Sequence, residues 1–243
     1  MISIPSLTLA TEFKLDNASM SWFKQTWSSS IGRKFAMALS ALFLIIFLLQ
    51  HFLINFTSVI SPDTFNELSH FMGTNPVVQF AAQPILIFGV VFHFVMGFIL
   101  EAKNKASRSV SYAMNKGNAN SSWVSRNMIY SGLVVLGFMG LHFADFWIPE
   151  IAHKYVHFDE ENPIRYYGEL LVKFQPAWRV GLYSLSFIFL SLHLLHGFQS
   201  AFQSVGVNHS KYTPVIQKLG KLYAIVIPVG FIFIALFHHF SGH

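Results

Sequence analysis

The chain's 243 residues are 53% hydrophobic and only 11% charged, with mean hydropathy +0.48 and 27 phenylalanines. That balance excludes an ordinary soluble domain and indicates an integral membrane protein. The net charge of +5, from 16 Lys and Arg against 11 Asp and Glu, comes with no cysteine at all, so disulfides, thiolate metal sites, iron–sulfur clusters and covalent haem attachment are excluded within this chain.

Residues 1–31 carry charges and tryptophans but no basic start followed by an apolar run and a small-residue cleavage site. They are expected to form a retained cytoplasmic or interfacial arm. Residues 32–243 are expected to form one membrane domain. Its five apolar segments fall at about 35–56, 77–100, 128–147, 180–201 and 222–240, each near the ~20 residues that cross ~30 Å of hydrocarbon as a helix. The predicted fold is therefore an all-α integral membrane protein, a five-transmembrane-helix bundle. Residues 117–122 read as a loop, and Pro84 and Pro228 as bends within helices.

Charge sets the expected orientation. With the N-terminus in the cytoplasm, segments 1–34, 101–126 and 203–221 lie inside and hold twelve of the sixteen basic residues, Arg126 among them. The two opposite connections collect acids: Asp63 and Glu67 in the first, Glu150, Asp159, Glu160, Glu161 and Glu169 in the second.

Four of the five segments carry a histidine deep inside. Counted from Lys34, His51 lies ~17 residues or ~25 Å into the first helix, and His142 lies ~16 residues or ~24 Å beyond Arg126, so both belong to the outer half. His93 is only ~12 Å from Glu101, where the second helix re-emerges inside, and His196 is ~17 residues from Arg179, again in the inner half. A single intramembrane histidine ordinarily serves as a hydrogen-bond donor between helices or as a proton relay. Four matched in depth on alternate helices call for a shared explanation, and two opposed neutral imidazoles are what a b-type haem requires. His193 and His196 compete for one position because three residues separate them; His196 is favoured, since Gly197 beside it leaves room for a porphyrin.

The runs Gln50-His51-Phe52-Leu53-Ile54-Asn55, His93-Phe94-Val95-Met96-Gly97, Leu141-His142-Phe143-Ala144-Asp145-Phe146-Trp147 and Leu192-His193-Leu194-Leu195-His196-Gly197-Phe198 resemble the membrane anchor of succinate dehydrogenases and fumarate reductases, in its single-subunit, five-helix, dihaem cytochrome b form. The resemblance covers about 32–240. It implies two b haems, with His51 and His142 ligating the distal one and His93 and His196 the proximal one. It also implies a flavoprotein subunit carrying FAD and an iron–sulfur subunit docked on the cytoplasmic face of a bacterial inner membrane. Electrons would pass through the haems to membrane quinone, with menaquinone the expected species. Membrane lipid and further copies of the complex are expected as neighbours, and nucleic acid is not.

Several residues are candidates for supporting roles. Ser40 precedes His51 by three helical turns and shares its face, placing a hydroxyl near an inner propionate or against its own backbone. Arg126 and Arg179 are candidates for pairing with inner and outer propionates. Glu67 is expected to sit partly desolvated near the outer haem and to exchange protons with a quinone headgroup, with Asp145 a weaker candidate. Two other functions would use the same histidines: the cytochrome b anchor of a hydrogenase or formate dehydrogenase, and a proton or metal transporter.

Overall fold

The structure, a computed structural model, describes residues 29–106 and 127–241. Every regular element in them is helical. Helix α1 (Ser30–Ile60) begins at Ser29, whose hydroxyl accepts from the Gly32 amide at 2.9 Å. It ends at Ser61, where extended backbone breaks the ladder and the Ser61 hydroxyl caps the next helix, α2 (Pro62–Thr74), by accepting from the Thr64 amide at 3.2 Å. Pro62 suits the first turn of α2, where its missing N–H has no partner to lose.

A π-helical turn, Val78–Ala82, leads into α3 (Gln83–Ala106). Pro84, expected as a bend within a helix, stands at the start of α3 just past that turn. Helix α4 (Met128–His142) runs through a second π turn, Phe143–Trp147, into α5 (Ile148–Tyr155). Then follow α6 (Arg165–Phe174), α7 (Ala177–Ser204) and α8 (Thr213–Ser241), with Pro228 buried inside α8.

Among the described residues, five stretches are long and apolar enough to cross a membrane: Ser30–Ile60, Val78–Ala106, Met128–Tyr155, Ala177–Ser204 and Thr213–Ser241. The protein is a multi-pass membrane helical bundle. The helices run past the predicted apolar segments because backbone hydrogen bonding continues into the interface after side-chain hydrophobicity has ended. Large apolar side chains such as Ile46, Phe80, Phe88 and Leu222 point outward, as expected where the solvent is lipid.

The connections decide the shape of the bundle's two ends. Helices α2, α5 and α6 gather at one, the capped end, where α6 packs on α2 and α8. The other, open end carries the start of α1, the end of α3, the start of α4, the end of α7 and the start of α8. The first of the two acidic connections is thus mostly helix. The interior is densest at the capped end, where Phe65, Leu170, Phe174, Tyr183, Phe187 and Phe231 form one cluster. Helix α7 lies at the centre against α8, α4 and α1, while α3 packs on α1 and α4 and buries none of its residues. Gly230 lets α8 approach α1 closely, because a Cβ there would collide with the Phe52 ring.

Candidate functional site

Helices α1 and α4 each carry a serine and, three turns later, a histidine on the same face: Ser40 with His51, and Ser131 with His142. Packing turns the two histidines toward one another. The His51 and His142 rings lie 5.7 Å apart between centroids and 86° apart in plane. On the next two spans, His93 of α3 and His193 of α7 meet in the same way, with centroids 6.2 Å apart and planes at 71°. His51 and His142 lie toward the capped end, about 14–20 Å along their helices from it. His93 and His193 lie deeper, toward the open end, about 22–24 Å along theirs.

The surroundings of the two pairs differ. His51 stacks on Phe47 at 5.5 Å and 21° and tilts against Phe231 at 5.8 Å. His142 stacks on Phe138 at 5.7 Å and 28° and faces Phe146 at 5.3 Å. Asn55 donates to the His51 backbone carbonyl at 2.8 Å and reaches the His51 ring nitrogens only at 3.4 and 3.5 Å, the outer limit of a hydrogen bond. The His142 Nδ1 is buried with no hydrogen-bond partner. The second pair is held by hydroxyls instead. Ser40 Oγ lies 3.1 Å from His93 Nδ1, and Ser131 Oγ 3.3 Å from His193 Nδ1.

The expected site residues are therefore only partly brought together. His51 and His142 take the expected pairing, and His93 faces the expected helix α7, but the ring opposite it belongs to His193 rather than His196. His196 lies one turn on, partly buried, and a Cβ at Gly197 beside it would come within 3.7 Å of the Met128 terminal methyl. Ser40 meets its own backbone and His93 rather than an open space. Arg126 lies outside the described residues. Arg179, expected to be available to a propionate, is engaged with Asp145, whose carboxylate lies 3.3 Å from its Nε, and its guanidinium sits over the Trp178 ring at 4.8 Å. Glu67 is exposed on α2; the desolvated setting expected for it is not built by the described residues, because α2 turns Phe65 and Asn66 inward instead.

Among the described residues, the acid that is buried is Asp145. The π turn after His142 carries it inward, to 5% exposure, where Tyr183 donates to it at 3.0 Å and Lys173 and Arg179 lie 3.6 and 3.3 Å away. Two cations around one carboxylate leave a positive excess beside the first histidine pair. Ser131, Lys173 and Tyr183 are absent from the sequence-based candidates. For Ser131 a signal existed: it precedes His142 by the same interval as Ser40 precedes His51.

Above the Asp145 cluster, the capped end carries ion pairs facing a cleft of about 300 Å³ lined by Gln79, His153, Tyr155, Asp159 and Arg165 among others. Glu150 bridges Lys154, at 2.5 Å, and Arg165, which also holds Glu169 at 2.7 Å. Burial alone would lower the Arg165 guanidinium, but the Glu150 and Glu169 carboxylates reverse this and hold it above its ordinary value. Burial, reinforced by the Glu150 charge, pushes the neighbouring Tyr166 phenol up to about 12.

Among the described residues, no group of three or more His, Cys, Asp or Glu forms a metal cage. The membrane-embedded donor sets are pairs of imidazoles. A tetrahedral Zn²⁺ site takes three or four protein ligands, so such a pair is complete only for a metal whose other ligands come with it. No family model matches the chain, and neither a curated protein nor a solved structure does.

Proposed function

We propose that the chain is the dihaem cytochrome b anchor of a succinate:quinone oxidoreductase. In this reading it takes electrons from a partner iron–sulfur subunit, which receives them from an FAD-bearing flavoprotein, and delivers them to quinone, with menaquinone the expected species, in a bacterial cytoplasmic membrane. The observation that carries the reading is the pair of facing imidazole pairs, one toward each end of the bundle, on four different spans. Two imidazoles sharing one metal at ~2.0–2.1 Å per bond have ring centres roughly 6 Å apart, and the observed separations are 5.7 and 6.2 Å. The two-imidazole donor set also suits a planar macrocycle that brings its own four nitrogens.

His51 and His142 would hold the iron nearer the capped end. His93 and His193 would hold the other, with His193 preferred to His196 because its ring is the one turned to His93. Bound haem supplies one-electron redox chemistry within the hydrocarbon. The chain's own part is positional and electrostatic. Phe47, Phe138, Phe146 and Phe231 exclude water from the first pair, and the positive excess of Lys173 and Arg179 over Asp145 favours an anionic group nearby. At the capped end Glu67, exposed on α2, is the carboxylate assigned to proton exchange with a quinone headgroup.

Pyridine haemochrome quantitation on the purified chain tests the proposal, with two b haems per chain expected. A preparation with no Soret or α band would replace it with a proton or metal transporter. Isolation in mild detergent should bring along a flavoprotein and an iron–sulfur subunit that together reduce a quinone analogue with succinate. Recovery with a nickel–iron or molybdenum subunit would instead assign the chain to a hydrogenase or formate dehydrogenase.

A further inference from the structure

We infer that Ser40 and Ser131 are positioning residues that set the tautomer of the deeper histidine pair, fixing the proton of His93 and of His193 on Nδ1 and turning the Nε2 lone pairs outward as ligands. The hydroxyl geometry requires this. Ser40 Oγ lies 2.8 Å from the Met37 carbonyl and Ser131 Oγ 2.8 Å from the Met128 carbonyl, each in its own helix. A carbonyl only accepts and a hydroxyl has one proton, so each serine donates to its carbonyl. The remaining contact of each serine, 3.1 Å to His93 Nδ1 and 3.3 Å to His193 Nδ1, is attractive only if the ring donates. The opposite tautomer would set lone pair against lone pair.

The arrangement is duplicated. Helix α1 carries His51 of one pair and supports His93 of the other; α4 carries His142 and supports His193. Both serines are buried, at 9% and 5% exposure, so water does not compete. Burial also explains the bond to the carbonyl, since a serine in a helix interior otherwise leaves its hydroxyl unsatisfied. The first pair has no such device: the His142 Nδ1 is unpartnered and buried. An acceptor on the far nitrogen raises the basicity of a metal-bound imidazole and fixes its orientation. As a role in ligation, the inference rests on the haem reading above; as a statement about tautomers it does not.

The experiment is Ser40→Ala and Ser131→Ala, each with Ser→Thr as the conservative rescue, in the full chain. The haem lost in His93→Ala identifies the deeper site. Each alanine variant should move that haem's midpoint potential upward and weaken its retention against a haem scavenger roughly 10- to 100-fold. The other haem should be unmoved, and threonine should restore both readouts. No shift, or equal shifts of both haems, overturns the positioning role. In a chain that binds no haem, ¹⁵N shifts of labelled histidines still read the tautomer. The His93 and His193 rings should both carry Nδ1–H, the first losing it in Ser40→Ala and the second in Ser131→Ala; that result keeps the inference while the haem reading falls, and Nε2–H on both of these rings sinks the inference itself.

Discussion

The two histidine pairs are alike in separation and unlike in support. The pair nearer the capped end is walled by phenyl rings and lies against the densest part of the interior, with a buried carboxylate and two cations one turn beyond it. The deeper pair is walled on one side by α3, none of whose residues is fully buried, and is held by two serine hydroxyls. Orientation of a ring can thus be imposed by packing or by hydrogen bonding. Packing fixes where a ring lies but is indifferent to which nitrogen bears the proton, whereas a hydroxyl committed to a carbonyl distinguishes the two nitrogens.

The sharpest way to break this comparison is to remove the rings. His51→Ala or His142→Ala should lose one of two haems and spare the other, and His93→Ala or His193→Ala should do the reverse, read by reduced-minus-oxidised spectra. His196→Ala should retain both. Loss of a haem on His196→Ala with none on His193→Ala would show that α7 presents its other face once the haem is bound.

The capped half should respond most strongly to loss of charge. Asp145→Ala leaves Lys173 and Arg179 facing each other without their carboxylate and should cost about 3–5 kcal/mol, seen as a lower thermal midpoint in detergent. Asp145→Asn should cost less, because Tyr183 keeps a partner. Gly230→Ala tests packing alone: it drives Cβ into Phe52, which is wedged against Phe56 and Phe231, and overpacking of this kind costs about 1–3 kcal/mol. If the halves differ as described, both variants should release the haem held by His51 and His142 first on heating.

Glu67→Gln should leave both haem spectra and the stability unchanged while slowing electron flow to quinone. Unaltered quinone reduction would reduce Glu67 to a solvated acid of α2. The smallest effect is expected at Tyr166. Its folded-state value of about 12 lies above the ordinary 10.0, so folding favours the neutral phenol. That contribution is intact at neutral pH and fades as pH rises through roughly 10 to 12. Ultraviolet titration should find one late-ionising tyrosine, and Glu150→Gln should bring it down by removing the nearby negative charge.

Much of the fold was legible because a bilayer leaves few options. Runs of apolar residues of sufficient length must be helices when no water is present to satisfy the backbone, and all five were readable. The short helices at the capped end were less so, because α2 and α6 are amphipathic and polar overall, and a sequence of that kind between two spans also suits a loop. His51, His142 and His93 could be paired by depth alone. The choice between His193 and His196 could not, since residues three apart differ by about 60° around a helix and only the rotation of α7 against α3 selects one. Ser131 was readable in principle, through the serine-to-histidine interval shared by α1 and α4.

A membrane protein of five spans with histidines at two depths can be read from the residues alone, because hydropathy and helical rise are local quantities summed along the chain. The packing of the spans sets which rings face each other, that Asp145 is buried while Glu67 is exposed, that Arg179 is already engaged, and that two serines on neighbouring helices meet the deeper pair. Those are questions of helix rotation and of the π turn after His142. They depend on how side chains of different spans interlock, which no single segment records.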